Sequence, residues 1–274
     1  MPSNCSIRPA RLSAIVPCFN EEATIGACLE SLKFADEILI VDSFSTDRTL
    51  EIARRYSERV LQHEYVNSAA QKNWAIPQAT YPWVLIVDSD ERVTPNLALE
   101  IKEILSKPEY DGYYVRRRNY FLGKDIRHGT WRTDKVLRLF RRDLGRYQEK
   151  HVHAEIEMNG SIGWCRNILI HHSYRTLDDY LRKAPRYAAW GALNARDKGL
   201  RGTRLRIFGH AAAPFLKGYI LKRGFLDGTE GLIIAMMESF AAFLKYSRLW
   251  EMERKRGQVI RNEEEESSNT RRLV

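Results

Sequence analysis

The chain has 274 residues, 44% of them hydrophobic, and is long enough to bury a sizeable core. Its four cysteines show no paired spacing, which argues against a disulfide framework and favours a reducing compartment. No apolar stretch reaches the roughly 18–20 residues that span a bilayer, and no secretory signal is expected. The sequence therefore predicts one large domain, or one domain with an appendage.

The net charge of +9 is distributed unevenly. Residues 1–100 contain 9 basic residues (Lys or Arg) and 14 acidic residues (Asp or Glu), a net charge of −5. Residues 101–200 contain 21 basic and 12 acidic residues, a net charge of +9. Residues 201–274 contain 14 basic and 9 acidic residues, a net charge of +5. The basic remainder is expected to face an anionic partner or to form a solvated surface. Charge alone does not separate nucleic acid, anionic lipid and a phosphorylated substrate.

Residues 1–10 are expected to form a disordered leader, and the following hundred residues alternate short apolar runs with helical patterns. The strands are predicted at 12–17, 37–42, 59–62 and 83–87, and the helices at 23–34, 47–56, 69–79 and 94–106. This alternation predicts a wound α/β fold with a mostly parallel central sheet.

The pattern changes after residue 107. Alternating strands are predicted at 112–116, 135–140, 151–156 and 168–172, with a flexible loop over 119–133 and a turn over 160–163. Helices are predicted at 177–197, 205–223 and 229–253. Residues 257–274 are charged and polar, and they are expected to be a disordered tail.

The predicted domains follow these changes in pattern. A catalytic domain would comprise residues 11–175, with a nucleotide-binding half over 11–107 and an acceptor half over 108–175. A basic, amphipathic helical region would comprise residues 176–256.

Acidic residues follow two of the buried strands. Asp42 ends the second strand, and Asp88 and Asp90 follow the fourth. Ligands of open α/β sheets bind at the carboxyl ends of the strands. Two carboxylates at that edge are costly unless a cation joins them, and a divalent metal carrying phosphate oxygens is a natural partner. A solvated acidic turn is the alternative.

Four motifs in this order resemble those of the family 2 glycosyltransferases, which have the GT-A nucleotide-sugar fold. They are 14–22 (Ala-Ile-Val-Pro-Cys-Phe-Asn-Glu-Glu), 41–49 (Val-Asp-Ser-Phe-Ser-Thr-Asp-Arg-Thr), 69–73 (Ala-Ala-Gln-Lys-Asn) and 88–90 (Asp-Ser-Asp).

Segments of the second half resemble bacterial transferases that build lipopolysaccharide core or similar envelope glycans. They are 152–154 (Val-His-Ala), Gly160 with Gly163, 171–174 (His-His-Ser-Tyr), 180–181 (Tyr-Leu), 186–187 (Arg-Tyr) and 224–228 (Gly-Phe-Leu-Asp-Gly). The resemblance covers about residues 12–255. It departs at 152–154, where members of that branch often read Val-His-Glu.

The resemblance implies transfer of a sugar from a nucleoside diphosphate, UDP-linked by preference, to a hydroxyl of a lipid-linked envelope glycan. The main task is to neutralise charge on the leaving diphosphate, which Mn²⁺ or Mg²⁺ would do. The resemblance makes Asp90 the direct metal ligand. Asp88 would lie in the metal's second shell or approach the donor ribose.

Four further residues are expected at the donor. Pro17 shapes a loop that packs on the base, and Glu21 binds the nucleoside or the helix N-terminus. Asp42 accepts a hydrogen bond from the base or ribose, or caps its own turn. Lys72 contacts the diphosphate, or lies on a solvated helix face.

An inverting transfer also needs a base to take the acceptor proton. Glu149, His153 and Glu155 are the candidates, and in strict alternation they share one face of a strand. Glu149 is favoured because it begins the segment, whereas surface strand residues are the alternative. His171 and His172 are interpreted as structural histidines in preference to a metal or phosphate contact.

The basic second half fits a phosphorylated, lipid-anchored acceptor, and no nucleic-acid partner is expected although RNA would fit the composition. The helices around 201–223 combine basic and apolar residues in a pattern suited to an anionic membrane surface. Together with this pattern, the resemblance to bacterial envelope-glycan transferases implies a peripheral protein on the cytoplasmic face of a bacterial inner membrane. An ordinary packed helix with a solvated basic face is the alternative.

Two other functions are alternatives to sugar transfer. A metal-dependent phosphotransferase would use Asp-x-Asp-x-Thr, but Asp90 is followed by Glu91 and Arg92. A non-enzymatic basic scaffold would bind polyanions or membrane in a salt-sensitive way, without metal-dependent nucleotide binding.

Overall fold

The computed structural model of the protein describes residues 9–149 and 154–272. The chain forms two compact units. The first contains the residues up to Arg127 together with Trp131–Arg175, and the second contains His128–Thr130 and the residues from Thr176 onward. The chain therefore passes from one unit to the other three times.

The first unit is built on one sheet. Its strands are β1 (Leu12–Cys18), β2 (Glu37–Asp42), β3 (Val60–Gln62), β4 (Trp83–Ile86), β5 (Glu91–Val93), β6 (Gly112–Phe121), β7 (Lys124–Asp125), β8 (Lys135–Arg141) and β11 (Ile162–Tyr174). Within the described residues the order is β3-β2-β1-β4-β8-β6-β11-β5, with β7 paired to β6. Two further strands, β9 (Gly145–Tyr147) and β10 (Ile156–Met158), form an antiparallel pair.

Most strands of the sheet run in one direction. β1 pairs in parallel with β2 and β4, β2 with β3, and β11 with β6, whereas β8 is antiparallel to both of its neighbours. The carboxyl ends of β1, β2, β4, β6 and β11 therefore meet at one edge. The prediction of a mostly parallel central sheet is confirmed.

Helices cover both faces of the sheet. They are α1 (Ile25–Glu30), α2 (Thr49–Ala53), α3 (Ser68–Ala75), a 3-10 turn (Ile76–Gln78) and α4 (Pro95–Ser106). One core joins α1, α2 and α4 to the sheet, and a second joins α3 to the other face. α4 begins as predicted, because the Thr94 side chain accepts a hydrogen bond from the Leu97 N–H at 3.2 Å and Pro95 occupies the first turn.

Several predicted boundaries differ from the structure. β11 begins at Ile162, inside the predicted turn, and β6 extends to Phe121, inside the predicted loop. The two strands pair along most of their length, and this pairing extends them beyond the apolar runs. The predicted strand over 151–156 is not observed as such, because β10 begins only at Ile156 and residues 151–153 lie outside the described part.

The second unit is helical. It contains α5 (Leu177–Asp197), α6 (Arg204–Phe215), a π-helix (Leu216–Leu221), a 3-10 turn (Gly224–Asp227) and α7 (Gly228–Arg272). α5 has the predicted bounds. The single helix predicted over 205–223 is instead divided, because the backbone changes to the wider π geometry at Leu216.

The disordered tail predicted for residues 257–274 is wrong for residues 257–272, which continue α7. This segment contains no proline and is rich in Glu and Arg, which are good helix formers. High charge density does not by itself prevent a helix.

Specific contacts hold the second unit together. Ala192 and Ala195 of α5 pack with Tyr246 and Leu249 of α7. In the segment His128–Thr130, the His128 N–H and Nδ1 bond to the Asp227 carboxylate at 2.7 and 2.9 Å. None of the helices in the described ranges has the length and apolarity needed to cross a bilayer.

We predict that truncation within β4 destabilises the protein far more than truncation on α4. Leu85 is 1% exposed, so Leu85→Ala removes buried methyl groups and should lower the free energy of unfolding by about 2–5 kcal/mol. Leu99 is 61% exposed, and Leu99→Ala should change it by less than about 0.5 kcal/mol. Urea unfolding followed by tryptophan fluorescence measures both, and equal midpoints for the two variants would contradict the prediction.

Candidate active site

Acidic residues gather at the carboxyl edge of the sheet, in the turn between β4 and β5. The Glu91 N–H donates to the Asp88 carbonyl at 2.9 Å, and the Glu91 carboxylate accepts from the Asp88 N–H at 2.9 Å. These two bonds close a tight turn. They fix which way the Asp88 and Asp90 side chains leave the backbone.

The Asp88 carboxylate is held by two cations. Its Oδ1 lies 2.7 Å from Lys72 Nζ, and its Oδ2 bonds to the Arg138 guanidinium. Burial on its own would raise the pKa of Asp88, but Arg138 and Lys72 hold that pKa well below its usual range. Asp88 is therefore ionised and already neutralised by protein groups.

Glu91 extends this arrangement into a buried network. Its side chain is fully buried, and Oε1 accepts from Arg138 at 2.7 Å and from Arg117 at 3.3 Å. Arg117 in turn forms a bidentate pair with Asp134, at 2.8 and 2.9 Å. Although burial opposes its charge, the carboxylates of Asp88 and Glu91 raise the pKa of Arg138 well above its usual range.

Asp90 faces a different partner. β5 pairs with β11 so that Glu91 lies opposite His171, and the His172 N–H donates to the Asp90 carbonyl at 3.0 Å. This pairing brings His171 Nε2 to 3.6 Å from Asp90 Oδ2. Burial favours the neutral imidazole, but the Asp90 carboxylate outweighs it and raises the pKa of His171.

The other ring nitrogen of His171 is fixed by Asn119. Nδ1 lies 2.6 Å from Asn119 Oδ1. The Asn119 amide nitrogen donates to the Trp131 carbonyl and to Asp134, both at 3.1 Å, so its oxygen is the acceptor toward His171. His171 Nδ1 therefore carries a proton, and in the neutral ring the Nε2 lone pair points toward Asp90.

This donor set fits a divalent metal that is shared with a substrate. In the part of the chain that the structure describes, no three His, Cys, Asp or Glu side chains converge into a complete metal-binding group. Asp90 supplies a carboxylate and His171 an oriented imidazole nitrogen, while Asp88 is taken up by Lys72 and Arg138. The remaining coordination positions would fall to phosphate oxygens and water.

The residues that the sequence predicts to contact the nucleoside lie at the same edge of the sheet. Asp42 is fully buried, and its carboxylate accepts from the Ser45 N–H at 3.0 Å and from Gln62 Nε2 at 3.2 Å. The Glu21 carboxylate accepts from the Thr24 hydroxyl at 2.7 Å. Asp42 therefore caps the turn after β2, and it would influence a bound nucleoside through the shape of that turn.

Two exposed aromatic rings flank this edge. Phe19 follows β1 and is 50% exposed, and Phe44 follows β2 and is 54% exposed. Phe44 has a φ of 61°, in the left-handed region that costs a bulky residue energy. Pro17, near the end of β1, pairs with Val41 and places the loop that carries Phe19.

The remaining candidates are placed as follows. Lys72 is buried in α3, where it bonds to Asp88 and lies 5.4 Å from the ring centre of Tyr147, so it is not on a solvated face. Glu149 and Glu155 are exposed and lie outside strands, and the N–H of Gln148, the residue before Glu149, donates to the Glu155 carbonyl at 2.9 Å. His153 lies outside the described residues, and the role of these three as base stays a prediction.

The sequence interpretation counted Arg117 and Arg138 only among the basic residues that could receive the acceptor. It gave no site role to Glu91 or Asn119, and it assigned His171 a structural role. One signal was available, because Arg138 stands between Leu137 and Leu139 in a buried strand, and a buried arginine requires anionic partners. The Asn119–His171 contact had no local signal, since it depends on the pairing of β6 with β11.

We predict that Arg138→Leu lowers the free energy of unfolding by about 3–5 kcal/mol near neutral pH, because the buried Glu91 carboxylate and the half-buried Asp88 carboxylate lose their shared cation. Arg138→Lys should recover part of the loss. Exposed Arg116, on the neighbouring β6, supplies the matched control Arg116→Leu, which should change stability little. Urea unfolding of each variant measures these differences.

The pH dependence has a definite sign. The lowered pKa of Asp88 stabilises the wild type above about pH 4, the ordinary range of an aspartate, and this contribution is lost as the pH falls below it. The difference in free energy of unfolding between the wild type and Arg138→Leu should therefore become smaller as the pH falls below about 4. A deficit that is constant from pH 7 to pH 3 would contradict an ionic origin.

Comparison with known proteins gives the family. The model described as glycosyl transferase family 2 matches residues 13–163, which is more than half of the chain. The lipopolysaccharide core biosynthesis glycosyltransferase LpsC of Rhizobium meliloti is 32% identical over 248 residues, covering 88% of this chain and 92% of LpsC. An uncharacterised glycosyltransferase of Rickettsia typhi is 26% identical over 263 residues, covering 91% and 90%.

Among solved structures, S. aureus TarS 1–349 in complex with UDP-GlcNAc is similar with a TM-score of 0.45 and 16% identity, covering 88% of this chain and 92% of that one. The α/β fold with a mostly parallel sheet and C-terminal helices is GT-A-like, as predicted. From the family match and the similarity to LpsC, the chain belongs to glycosyl transferase family 2.

Proposed function

We propose that the protein is an inverting, metal-dependent glycosyltransferase. It would move a sugar from a nucleoside diphosphate, UDP-linked by preference, to a hydroxyl of a lipopolysaccharide-core or other lipid-linked envelope glycan. The observation that carries this proposal is the Asp90–His171 pair, oriented by Asn119 at the carboxyl edge of the sheet. The similarity to LpsC over most of both chains supports the acceptor class.

Asp90 and His171 would hold Mn²⁺ or Mg²⁺, which neutralises charge on the leaving diphosphate when it is bound. A nitrogen donor suits Mn²⁺ better than Mg²⁺, which takes oxygen ligands almost exclusively. Asn119 keeps the His171 ring in the tautomer that leaves Nε2 available, as an outer-shell partner of a metal ligand does.

Asp88 would then have a positioning role. Its carboxylate oxygens bond to Lys72 and Arg138, so we place it toward the donor ribose or the outer shell and not in direct coordination. Because Lys72 is bonded to Asp88, its main role would be to hold the Asp88 carboxylate in place for the donor. A direct contact with the diphosphate would be secondary. The cations keep Asp88 ionised and stationary while the donor binds.

The nucleoside would lie over the ends of β1 and β2. Pro17 and Glu21 shape the loop on one side, and Asp42 braces the turn on the other. The exposed rings of Phe19 and Phe44 offer stacking surfaces for the base. Exposed aromatic side chains of this size at a sheet edge are typical of a ligand site.

The acceptor would approach from the basic second half of the first unit, which carries the predicted base residues Glu149, His153 and Glu155. Glu149 and Glu155 are exposed and therefore accessible to an incoming hydroxyl. A lipid-linked acceptor places the enzyme at the cytoplasmic face of the bacterial inner membrane. Sugar transfer is favoured over phosphoryl transfer or a scaffold role because the chain belongs to a glycosyltransferase family.

Thermal-shift measurements with UDP-sugars, with and without Mn²⁺, test the donor and metal site. Wild-type protein should gain stability from UDP-sugar plus Mn²⁺ beyond that from either alone, since ligands that bind the native state raise its apparent stability. Asp90→Asn and His171→Ala should lose the metal-dependent gain. Asn119→Ala should weaken Mn²⁺ affinity by about 10–100-fold.

Asp143→Asn is the control for these variants, because Asp143 is 74% exposed and pairs only locally with Arg142. It should behave like the wild type. Retention of the full metal-dependent gain in Asp90→Asn would overturn the metal site. Absence of binding and turnover for UDP-, GDP-, CMP- and ADP-linked sugars would overturn the proposed function itself.

Single substitutions Glu149→Gln, His153→Asn and Glu155→Gln test the base. The substitution at the base should lower kcat by about 10²–10⁴-fold with donor affinity unchanged, and we expect this of Glu149. Glu157→Gln, an exposed change in the same segment, is the control. NMR of the product should show inverted anomeric configuration, and retained configuration would contradict an acceptor base.

A further inference from the structure

The segment 198–226 of the second unit has an unusual charge composition. It contains seven Lys and Arg residues and no Asp or Glu. The basic residues are Lys198, Arg201, Arg204, Arg206, Lys217, Lys222 and Arg223. Asp197 and Asp227 bound the segment, so its positive charge is not offset by any carboxylate of its own sequence.

Large apolar side chains are exposed in the same segment. Leu205 is 83% exposed, Phe208 79% and Leu221 77%. α6 contains no buried residue. Surface leucine and phenylalanine occur singly in most proteins, but three such residues this exposed in 17 residues form a concentrated apolar surface.

The exposed residues follow a helical stripe and not a disordered chain. Leu205, Phe208 and Ala212 are spaced at three and four residues, and Leu216 of the π-helix continues the same line. The opposite side of α6 faces the unit, since Ile207 packs on the core formed by α5 and α7. The helix is therefore oriented, with its apolar stripe outward.

The basic side chains accompany this stripe. Arg201, Arg204, Lys217 and Arg223 are all exposed. A helix with outward Leu and Phe and accompanying Arg and Lys matches the pattern of helices that lie in the plane of a membrane interface. Each Lys or Arg near an anionic lipid surface adds attraction, and the apolar side chains enter the boundary between headgroups and acyl chains.

We propose that residues 201–223 are a docking surface for an anionic lipid membrane, hereafter the docking surface. Leu205, Phe208 and Leu221 enter the interface, while the basic side chains pair with lipid phosphates. This proposal rests on the proposed function in one respect, since it specifies how the enzyme reaches a lipid-linked acceptor. Lipid binding itself requires neither a nucleotide sugar nor a metal.

A lipid surface fits these residues better than other polyanions do. Nucleic acid would satisfy the basic side chains but would leave the leucine and phenylalanine side chains in water. A protein partner would need acidic groups matched to each fixed arginine position. Lipid phosphates diffuse laterally and adapt to the existing positions, and a bilayer offers apolar and anionic groups side by side.

Co-sedimentation with phosphatidylcholine vesicles, with and without phosphatidylglycerol, tests the proposal on the full chain. Wild-type protein should bind the vesicles that contain phosphatidylglycerol and bind pure phosphatidylcholine weakly. The double variant Leu205→Ser, Phe208→Ser should bind about tenfold less per side chain removed, because each loses its apolar transfer into the interface. The double variant Arg204→Gln, Lys217→Gln should bind about fivefold less per charge.

The matched control is Leu99→Ser with Leu181→Ser. Leu99 is 61% exposed in the first unit, and Leu181 is 54% exposed on α5, which carries Asp178 and Asp179 in its first turn. These two leucines lie outside the docking surface and should leave vesicle binding unchanged. Thermal unfolding and UDP-sugar hydrolysis should match the wild type in all variants, because none of the substituted residues belongs to the site.

Three outcomes would overturn the proposal. The first is no binding of wild-type protein to phosphatidylglycerol vesicles, and the second is equal loss in the control variant. The third is light scattering that shows a wild-type oligomer dissociated by Leu205→Ser, Phe208→Ser, which would assign the surface to a protein contact. Vesicle binding with no nucleotide-sugar turnover would keep the docking surface and reject the proposed function.

Discussion

Two carboxylates, that of Asp88 after β4 and that of Glu91 at the start of β5, are both paired with cations, and Arg138 is shared between them. Lys72 comes from α3, Arg117 from β6 and Arg138 from β8, so the charges are supplied by separate elements. A buried carboxylate without such a partner costs several kcal/mol. The network therefore joins the helix on one face to the middle of the sheet at the point where ligands are expected.

The antiparallel β8 has a specific part in this arrangement. It is inserted between β4 and β6, which run parallel to each other, and it carries Arg138 to the turn that follows β4. The two aspartates of the Asp-x-Asp motif consequently differ. Asp88 is committed to protein cations, whereas Asp90 turns toward His171. One motif thus provides a carboxylate that is fixed by protein cations and a second carboxylate that faces a histidine.

Much of the fold could be predicted from sequence because its signals are local. Buried strands, the cap at Thr94 and the bounds of α5 follow from hydrophobic pattern and capping residues in one short window. The site could be predicted only in part. The position of Asp90 followed from its motif, but its partner His171 and the orienting Asn119 are separated by 52 residues and meet through the pairing of β6 with β11.

The remaining errors have physical causes of the same kind. Paired neighbours extended β6 and β11 beyond their apolar runs, and the backbone changes to π geometry at Leu216 where periodicity alone indicated one helix. In residues 257–272, composition indicated disorder while the intrinsic helix preference of Glu and Arg indicated α7. A sequence pattern reports which secondary structure a segment prefers. Where two preferences compete, contacts with residues distant in sequence decide which structure forms.

The short segment His128–Thr130 has a consequence for how this chain can be divided. It belongs to the helical unit, where Asp227 holds His128, yet it is bordered on both sides by residues of the sheet unit. A chimera that exchanges everything after Arg175 would separate Asp227 from its partner and leave a foreign segment at 128–130. Modular replacement of the helical unit therefore needs two grafts, one at residues 128–130 and one after Arg175.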